Sequence, residues 1–448
     1  MWHGYLLSGS GSNIYTANLC SEWRKAGHDV LLLCQEGHGG SYGWIDEEGD
    51  FAPDNRSFET SSTGVSRGRG RCRLARPHIR EVLPVYVYDD YEGFLAKRFV
   101  DLSDRELDVY TELNTQALIT AITHHEPNAI ITGHEVMGPY IARDACRETD
   151  TAYLAKLHGS ALEYAVKLQE RYLRFAMEGL CGARAVVGGS RYMVEEASAI
   201  VPGWKDRAVV VNPGCDVELF GSIRREPSSV PTVGYVGKLI SSKGVHNLLV
   251  ALGNLDGPLR AVIVGYGGFD DTLRRLADLL MAGDVDRART LLYESGDDAA
   301  LDAARFLSSD GAYRERYREI TITFTGRLEH EPLAPLIPTF DVLVVPSVVP
   351  EAFGMVAAEA AACGVLPVVP DHSGIGEAGA AVEAAVGRPG LLTYDHRDPV
   401  KGITEALERV LSIPHDERRD LGAAASELAR SRWSWSHVSA RLLELAAM

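Results

Sequence analysis

Residues 342–370 read VLVVPSVVPEAFGMVAAEAAACGVLPVVP, and the rest of the chain is read outward from them. Residues 342–345 and 366–369 are short, unbroken apolar runs with the length and branching of strands buried on both faces. Between them a small-residue run opens at Gly354-Met355 and closes at Gly364, which predicts a helix. The first N–H groups of a helix lack partners and form an electropositive end where an anion sits. Glycine lets a phosphate approach such a backbone with no Cβ in the way. Glu351 stands before these amides, and Glu359 lies two turns beyond, up to roughly 12 Å away along the axis at about 1.5 Å of rise per residue. Carboxylates accept paired hydrogen bonds from hydroxyls. The layout therefore suits a ligand that presents hydroxyl, diphosphate and hydroxyl in turn, as a sugar nucleotide does. Composition alone supports a second reading: a small-residue helix packed tightly on a sheet, with Glu359 a solvent-facing charge.

The segment PEAFGMVAAEAAACGVLPVV resembles the E-x7-E element of the retaining glycosyltransferases of family 4 (glycosyl transferases group 1), which have the two-domain GT-B fold. The resemblance implies that Glu351 binds donor sugar hydroxyls and that Glu359 holds the ribose. It also implies that the backbone of Phe353, Gly354, Met355 and Val356 meets the sugar and diphosphate. Ala352 stands where the family frequently has proline.

Bulk properties bound the class. A chain of 448 residues predicts two or three domains, each with its own core. Lys+Arg 45 against Asp+Glu 62 leaves a net charge of −17, which argues against a nucleic-acid binder. No apolar run reaches membrane-spanning length, and the first residues lack a secretory pattern. The 7 cysteines are scattered singly and read as small core residues in a reducing compartment. A cytoplasmic enzyme is the expectation.

Residues 1–36 predict strand, glycine loop, helix, strand. The first strand, residues 2–7, is short, as though a few residues were missing from its start. The loop Ser8-Gly9-Ser10-Gly11-Ser12 places small residues with free N–H groups at a helix start, an anion or hydroxyl nest, although a lone G-x-G also serves turns for steric reasons. The family resemblance implies that Gly9, Gly11 and Ser12 lie beside donor phosphates or acceptor. Residues 36–81 read as a glycine- and arginine-rich loop without apolar periodicity, carrying Arg67, Arg69, Arg71, Arg73, Arg76 and Arg80. It is either a solvated excursion or a collar for an anionic acceptor or a membrane surface. Residues 83–94 alternate as a strand and end in Asp89-Asp90-Tyr91-Glu92, where Tyr91 suits a sugar-like acceptor or an ordinary half-buried strand. Residues 104–125 predict an amphipathic helix. Strands at 129–132 and 152–157 end in Gly133-His134-Glu135 and His158-Gly159-Ser160, at the edge where open α/β sheets bind ligands. By resemblance His158 faces the donor sugar near its anomeric carbon, and His134-Glu135 lies in the acceptor-side loop. Further strands are predicted at 185–188 and 208–211. The turn NPGCD, 212–216, resembles the family's N-G-V-D interdomain joint, and the polar segment 222–231 reads as a linker.

The second domain opens with TVGYVGKLISSKG, 232–244. Two lysines beside glycines just past a strand end can oppose a diphosphate, although surface lysines are usually only solvated. GKLISSKG resembles the family's G-R-L-x-x-x-K-G diphosphate site, which implies that Gly237, Lys238 and Lys243 serve it, with Lys238 in place of the common arginine. Residues 260–264 and 321–325 are further strands, and by resemblance the backbone of Gly326-Arg327-Leu328 meets the base. Residues 270–319 read as a long helical insertion. Its Asp284-Val285-Asp286 mimics a metal-binding D-x-D but reads as a solvated face in mid-helix, so no metal or other cofactor is expected. Residues 398–448 are helical, with a last helix beginning at Trp433-Ser434-Trp435.

The expected architecture is α/β and GT-B: two doubly wound Rossmann-like domains facing a cleft. The acceptor-side domain is 1–213 with 431–448 packing back on it, and the nucleotide-sugar domain is 214–430. The expected activity is retaining transfer of a hexose-type sugar from a nucleotide diphosphate, by family frequency UDP, to the hydroxyl or amine of a small molecule or glycolipid. The alternatives are a relative with other chemistry (epimerase, phosphorylase or pseudo-glycosyl coupling) and a non-catalytic sugar-nucleotide sensor. A dehydrogenase is disfavoured because neither glycine turn carries the full G-x-G-x-x-G with its acidic partner.

Overall fold

The computed structural model describes residues 1–65, 68–87, 93–221, 230–307 and 311–447. The chain divides into two compact units: Met1–Pro213 together with the helix Trp435–Ala447, and Gly214–Ser434. The second unit thus runs to Ser434 rather than 430. Trp433, predicted to begin the last helix, is buried in that unit's core, and the helix begins at Trp435.

The second unit is built on a six-stranded parallel sheet. Its order is Ile320–Gly326, Leu259–Val264, Thr232–Val236, Val342–Val344, Leu366–Pro370, Thr393–Tyr394. Helices cover both faces, so the central strands are apolar throughout; every residue of Val342–Val344 is buried. Chain order reverses between the first strand, Thr232–Val236, and the fourth, Val342–Val344, whose register pairs Val233 with Val342. Such a switch point opens a crevice beyond the carboxyl ends of the strands. Asp341 anchors the sheet to the helix His415–Arg432 through a buried 2.7 Å ion pair with Arg418, and its other oxygen accepts the Thr232 amide at 2.8 Å.

The predicted helical insertion consists of four helices, Asp270–Met281, Val285–Glu294, Asp298–Arg305 and Gly311–Arg318. Leu273, Leu276, Leu280, Leu292 and Tyr317 turn their apolar stripes into the core. The D-x-D does not lie in mid-helix. Asp284 caps the second of these helices by accepting the Arg287 amide, and Asp286 pairs with Arg289 at 3.0 Å.

In the first unit the sheet runs Phe58–Ser62, Glu47–Phe51, Cys72–Arg76, Val30–Leu33, then through Trp2 to Ile131–Gly133, Leu154–Lys156, Ala185–Gly188 and Ala208–Val210. All pairings are parallel except the hairpin Glu47–Phe51 with Phe58–Ser62. The predicted first strand is reduced to a bridge at Trp2, whose amide donates to Ile131 while the Leu33 amide donates to Met1. Gly4, with φ +79°, turns the chain out of the sheet immediately afterwards. The last helix belongs here, held by the Trp23 indole, which donates to the Ser439 carbonyl at 3.0 Å.

The reading of 36–81 as a loop is corrected. Cys72–Arg76 is an inner strand with Cys72, Leu74 and Ala75 buried. Its arginines lie in register with an acidic neighbour: Arg73 pairs with Glu47 at 3.0 Å, and Arg76 with Glu48 and Asp50 at 2.8 Å each. Arg71 also meets Glu47, at 3.2 Å. Arg71, Arg73 and Arg76 are thus answered within the unit, while Arg67 lies outside the described residues.

Candidate functional site

At the second unit's switch point, Tyr235 donates to the Lys238 carbonyl at 2.8 Å, closing the turn that begins at Gly237. The chain then makes a short 3-10 turn, Ser241–Lys243. Its backbone is joined to the loop beyond Val342–Val344 by the Val348 amide, which donates to Ser242 at 3.0 Å. The approach is close enough that a Cβ on Gly244 would lie 1.9 Å from the Pro346 carbonyl oxygen. This packing places Lys243 Nζ 2.9 Å from Glu351 Oε1, with the Glu351 side chain 16% exposed. The Glu351 amide donates to Ser373 Oγ at 3.0 Å, and its carbonyl accepts the Gly374 amide at 2.9 Å. Ser373 takes a left-handed φ of +56° to make that contact.

The helix after Glu351 is Met355–Ala362, and Gly354 enters it at φ +85°. Gly354 is obligatory for space as well as conformation, since a Cβ there would meet Ile375 Cδ1 at 2.1 Å. No side chain caps this helix, and among the described residues the amides of Gly354, Met355 and Val356 have no acceptor. The Phe353 ring points inward and packs edge-on against Trp433 at 5.4 Å. Its side chain therefore serves the core, and only its backbone lies with the helix start. Glu359, on the next turns, is 7% exposed. Burial raises its carboxyl above the ordinary value, opposed by His330, whose Nε2 lies 3.7 Å away. Among the described residues the ion-pair contact of the Glu359 carboxylate is that 3.7 Å approach of His330.

Lys238 is exposed and has no ion-pair partner among the described residues. Arg327 is exposed at the end of the edge strand, pairs with Glu329 at 2.8 Å and lies over the Tyr266 ring at 5.2 Å; Leu328 packs partly into the core. The second unit thus brings Gly237, Lys238, Lys243, Glu351 and the start of Met355–Ala362 to one sheet edge.

The first unit gathers a different set at the carboxyl edge of its own sheet. Ser10 caps the helix Gly11–Ala26, leaving Gly9, Gly11 and Ser12 at its exposed start. His134, at φ +71°, and Glu135 are buried beyond Ile131–Gly133. The His134 ring lies 4.8 Å from that of His158, centroid to centroid. His134 Nε2, His158 Nε2 and Glu135 Oε2 are buried without partners. Burial drives both imidazoles well below their ordinary value; beside that, His3 acts on His134, and His134 and Lys156 act on His158. Burial also raises the Glu135 carboxyl, against the pull of the Gly159 amide. Tyr91 lies outside the described residues.

Two neighbours were not singled out from the sequence. His3 is buried with Nε2 3.0 Å from both Asn13 Oδ1 and the Leu6 carbonyl, and burial pushes it down to about 4. Lys156 ends the apolar strand Leu154–Lys156 and is 2% exposed; burial pushes it down to about 7. A lysine inside an otherwise apolar strand was a readable signal of the second.

Comparison with known proteins gives matches to both units. Residues 10–214 match the family described as glycosyl transferase 4-like domain, and residues 306–412 match glycosyl transferases group 1. A D-inositol 3-phosphate glycosyltransferase of Corynebacterium urealyticum is 30% identical over 257 residues, 54% of this chain and 51% of that protein. A glycogen synthase of Mycobacterium tuberculosis is 30% identical over 239 residues, 53% of this chain and 47% of its own. The chain spans about half the length of the curated relatives it matches. Among solved structures, sucrose-phosphate synthase from Thermosynechococcus elongatus aligns with a TM-score of 0.58 at 19% identity, covering 99% of this chain and 94% of that one. Anabaena HepE in complex with UDP and glucose aligns at 0.59 with 15% identity, covering 99% and 97%.

Proposed function

Because the chain belongs to the glycosyl transferases group 1 family and has the GT-B fold, we propose that it is a retaining glycosyltransferase that uses a nucleotide diphosphate sugar. The proposed donor is a UDP-hexose, the nucleotide named with the Anabaena relative. The acceptor supplies a hydroxyl or an amine, on a small molecule or a glycolipid. One observation carries the reading: uncapped amides at Gly354–Val356 lie between Glu351, paired with Lys243, and Glu359, whose carboxyl burial holds above its ordinary value. A diphosphate on the amides, sugar hydroxyls on Glu351 and ribose hydroxyls on Glu359 would meet each of these needs.

In this scheme Lys238 and Lys243 stabilise the departing diphosphate together with the helix amides, in a site where the charge that develops is met by groups already in place. The glycine at 237 lets the backbone approach the phosphates. The backbone at Arg327-Leu328 receives the base. The acceptor oxygen or nitrogen bonds to the anomeric carbon on the face the leaving group vacates. The bond from that carbon to the diphosphate breaks, and the acceptor's proton passes to the departing phosphate oxygen. His158 stands beside the reacting sugar, and His134 and Glu135 lie on the acceptor side. No step is assigned to a metal; Asp284 and Asp286 are engaged in capping and pairing.

A panel of sugar nucleotides tested for thermal stabilisation, followed by assay of nucleotide diphosphate release, tests this. A ligand at 100 times its Kd adds about 2.7 kcal/mol of stability. The expected result is stabilisation by at least one sugar nucleotide, with slow diphosphate release in the absence of acceptor. Stabilisation by none at millimolar concentration overturns the proposal. Scrambling at C2 without release turns it to an epimerase, and tight binding without turnover with any acceptor turns it to a sensor.

A further inference from the structure

We propose that Lys156 and Glu135 are positioning residues, two buried side chains that grip the backbone on either side of His158 and fix where its imidazole stands. The inference rests on the reading of His158 as the group beside the reacting sugar. Lys156 Nζ donates to the Leu157 carbonyl at 3.1 Å, just before His158. Glu135 Oε1 accepts the Gly159 amide at 2.7 Å, just after it. The two grips come from different strand ends, Leu154–Lys156 and Ile131–Gly133, which are hydrogen-bonded neighbours in the sheet. Gly159 turns at φ +84°, so the His158 backbone is held on both sides of a tight bend. Tyr15 completes the seat. Its ring lies 5.1 Å from Lys156 Nζ on one side and meets the His158 ring edge-on at 5.3 Å on the other.

The arrangement is not an ordinary buried ion pair. Lys156 is 2% exposed and Glu135 0% exposed; each charge acts on the other, yet among the described residues no ion pair within 4.0 Å joins them. Two ionisable groups withdrawn from water without a direct ion-pair contact oppose folding. Methionine at 156 and a small apolar residue at 135 would pack the same space without that penalty. What the two polar side chains add is the bond each makes to the backbone beside His158. The His158 ring packs against Tyr15 and His134, but no hydrogen bond fixes its Nε2. Misplacement of a reacting group by about 1 Å lowers turnover by about 10²-fold, so the grip belongs to function.

The full chain carrying Glu135→Ala, Glu135→Gln or Lys156→Met tests this through three readouts: hydrogen exchange of the Gly159 amide, the 13C resonance of the His158 ring (assigned by its loss in His158→Ala), and steady-state hydrolysis of the UDP-hexose. In Glu135→Ala the Gly159 amide exchanges about tenfold faster or more, the His158 resonance moves, and kcat falls about 10- to 100-fold with the donor KM nearly unchanged. Glu135→Gln keeps an oxygen for the Gly159 amide and recovers most of kcat. Lys156→Met moves the His158 resonance and lowers kcat, again without raising KM. An unmoved His158 resonance in the alanine and methionine variants overturns the proposal. So does a rise in KM at constant kcat, or a glutamine variant as damaged as the alanine one. If Lys156→Met fails to fold, the two Glu135 variants decide. If His158→Ala turns over donor like the wild type, it is the reading of His158 that fails, and exchange and resonance still judge the grip.

Discussion

Replacement of Glu359 by glutamine should make the protein more stable and a poorer binder of nucleotide. The carboxyl is 7% exposed and is held by burial above its ordinary 4.5. Between that value and the raised one the folded chain takes up a proton. Wild-type stability is therefore greatest below the ordinary value and declines as pH rises through the window. The Glu359→Gln variant has no proton to lose at this position, so its advantage over the wild type grows upward from pH 4.5 and levels off above the raised value. For a unit of this size each kcal/mol of the stability that the shifted carboxyl withholds moves Tm by about 2–4 °C. Binding moves the other way. If the ribose hydroxyls donate to this carboxylate, loss of a charge-assisted bond costs about 1.5–3 kcal/mol, or about 10- to 150-fold in Kd. Calorimetric melts at pH 5 and pH 8, with titrations of UDP, measure both. A UDP affinity changed by less than about threefold, or a Tm advantage that shrinks as pH rises, would refute the reasoning.

Lys243→Met should lower kcat for donor hydrolysis by about 10²–10³-fold, the usual loss on removing a group that stabilises developing negative charge; activity near wild type would remove Lys243 from the chemistry. Gly354→Ala forces a Cβ to within 2.1 Å of Ile375 Cδ1 at φ +85°, so Tm should fall and UDP binding should be lost, both readable in one thermal-shift titration. Asp341→Ala leaves the buried Arg418 without its 2.7 Å partner and should destabilise the second unit by about 3–5 kcal/mol in urea unfolding.

What could be read from the sequence was what local pattern controls. The runs at 342–345 and 366–369 read as buried strands from their shortness and β-branched content, and the structure has strands Val342–Val344 and Leu366–Pro370 there, with the helix entered at Gly354 as its glycine suggested. The strand–helix–strand arrangement that carries Glu351 and Glu359 was legible for the same reason, all its parts lying close together in sequence. Cys72–Arg76 was missed because its arginines are answered by Glu47, Glu48 and Asp50, more than twenty residues away. Charge that is neutralised across strands reads as solvated charge in one dimension. The direction of the Phe353 ring and the burial of His3 and Glu135 are likewise set by neighbours distant in sequence, so spacing carries no trace of them.

The account stands on the amides at the start of Met355–Ala362 gripping a diphosphate. Selective 15N labelling of glycine, methionine and valine lets the amides of Gly354, Met355 and Val356 be followed during a UDP titration. All three should shift together and saturate at one Kd. Saturable binding of UDP that leaves these three amides unmoved would contradict the account.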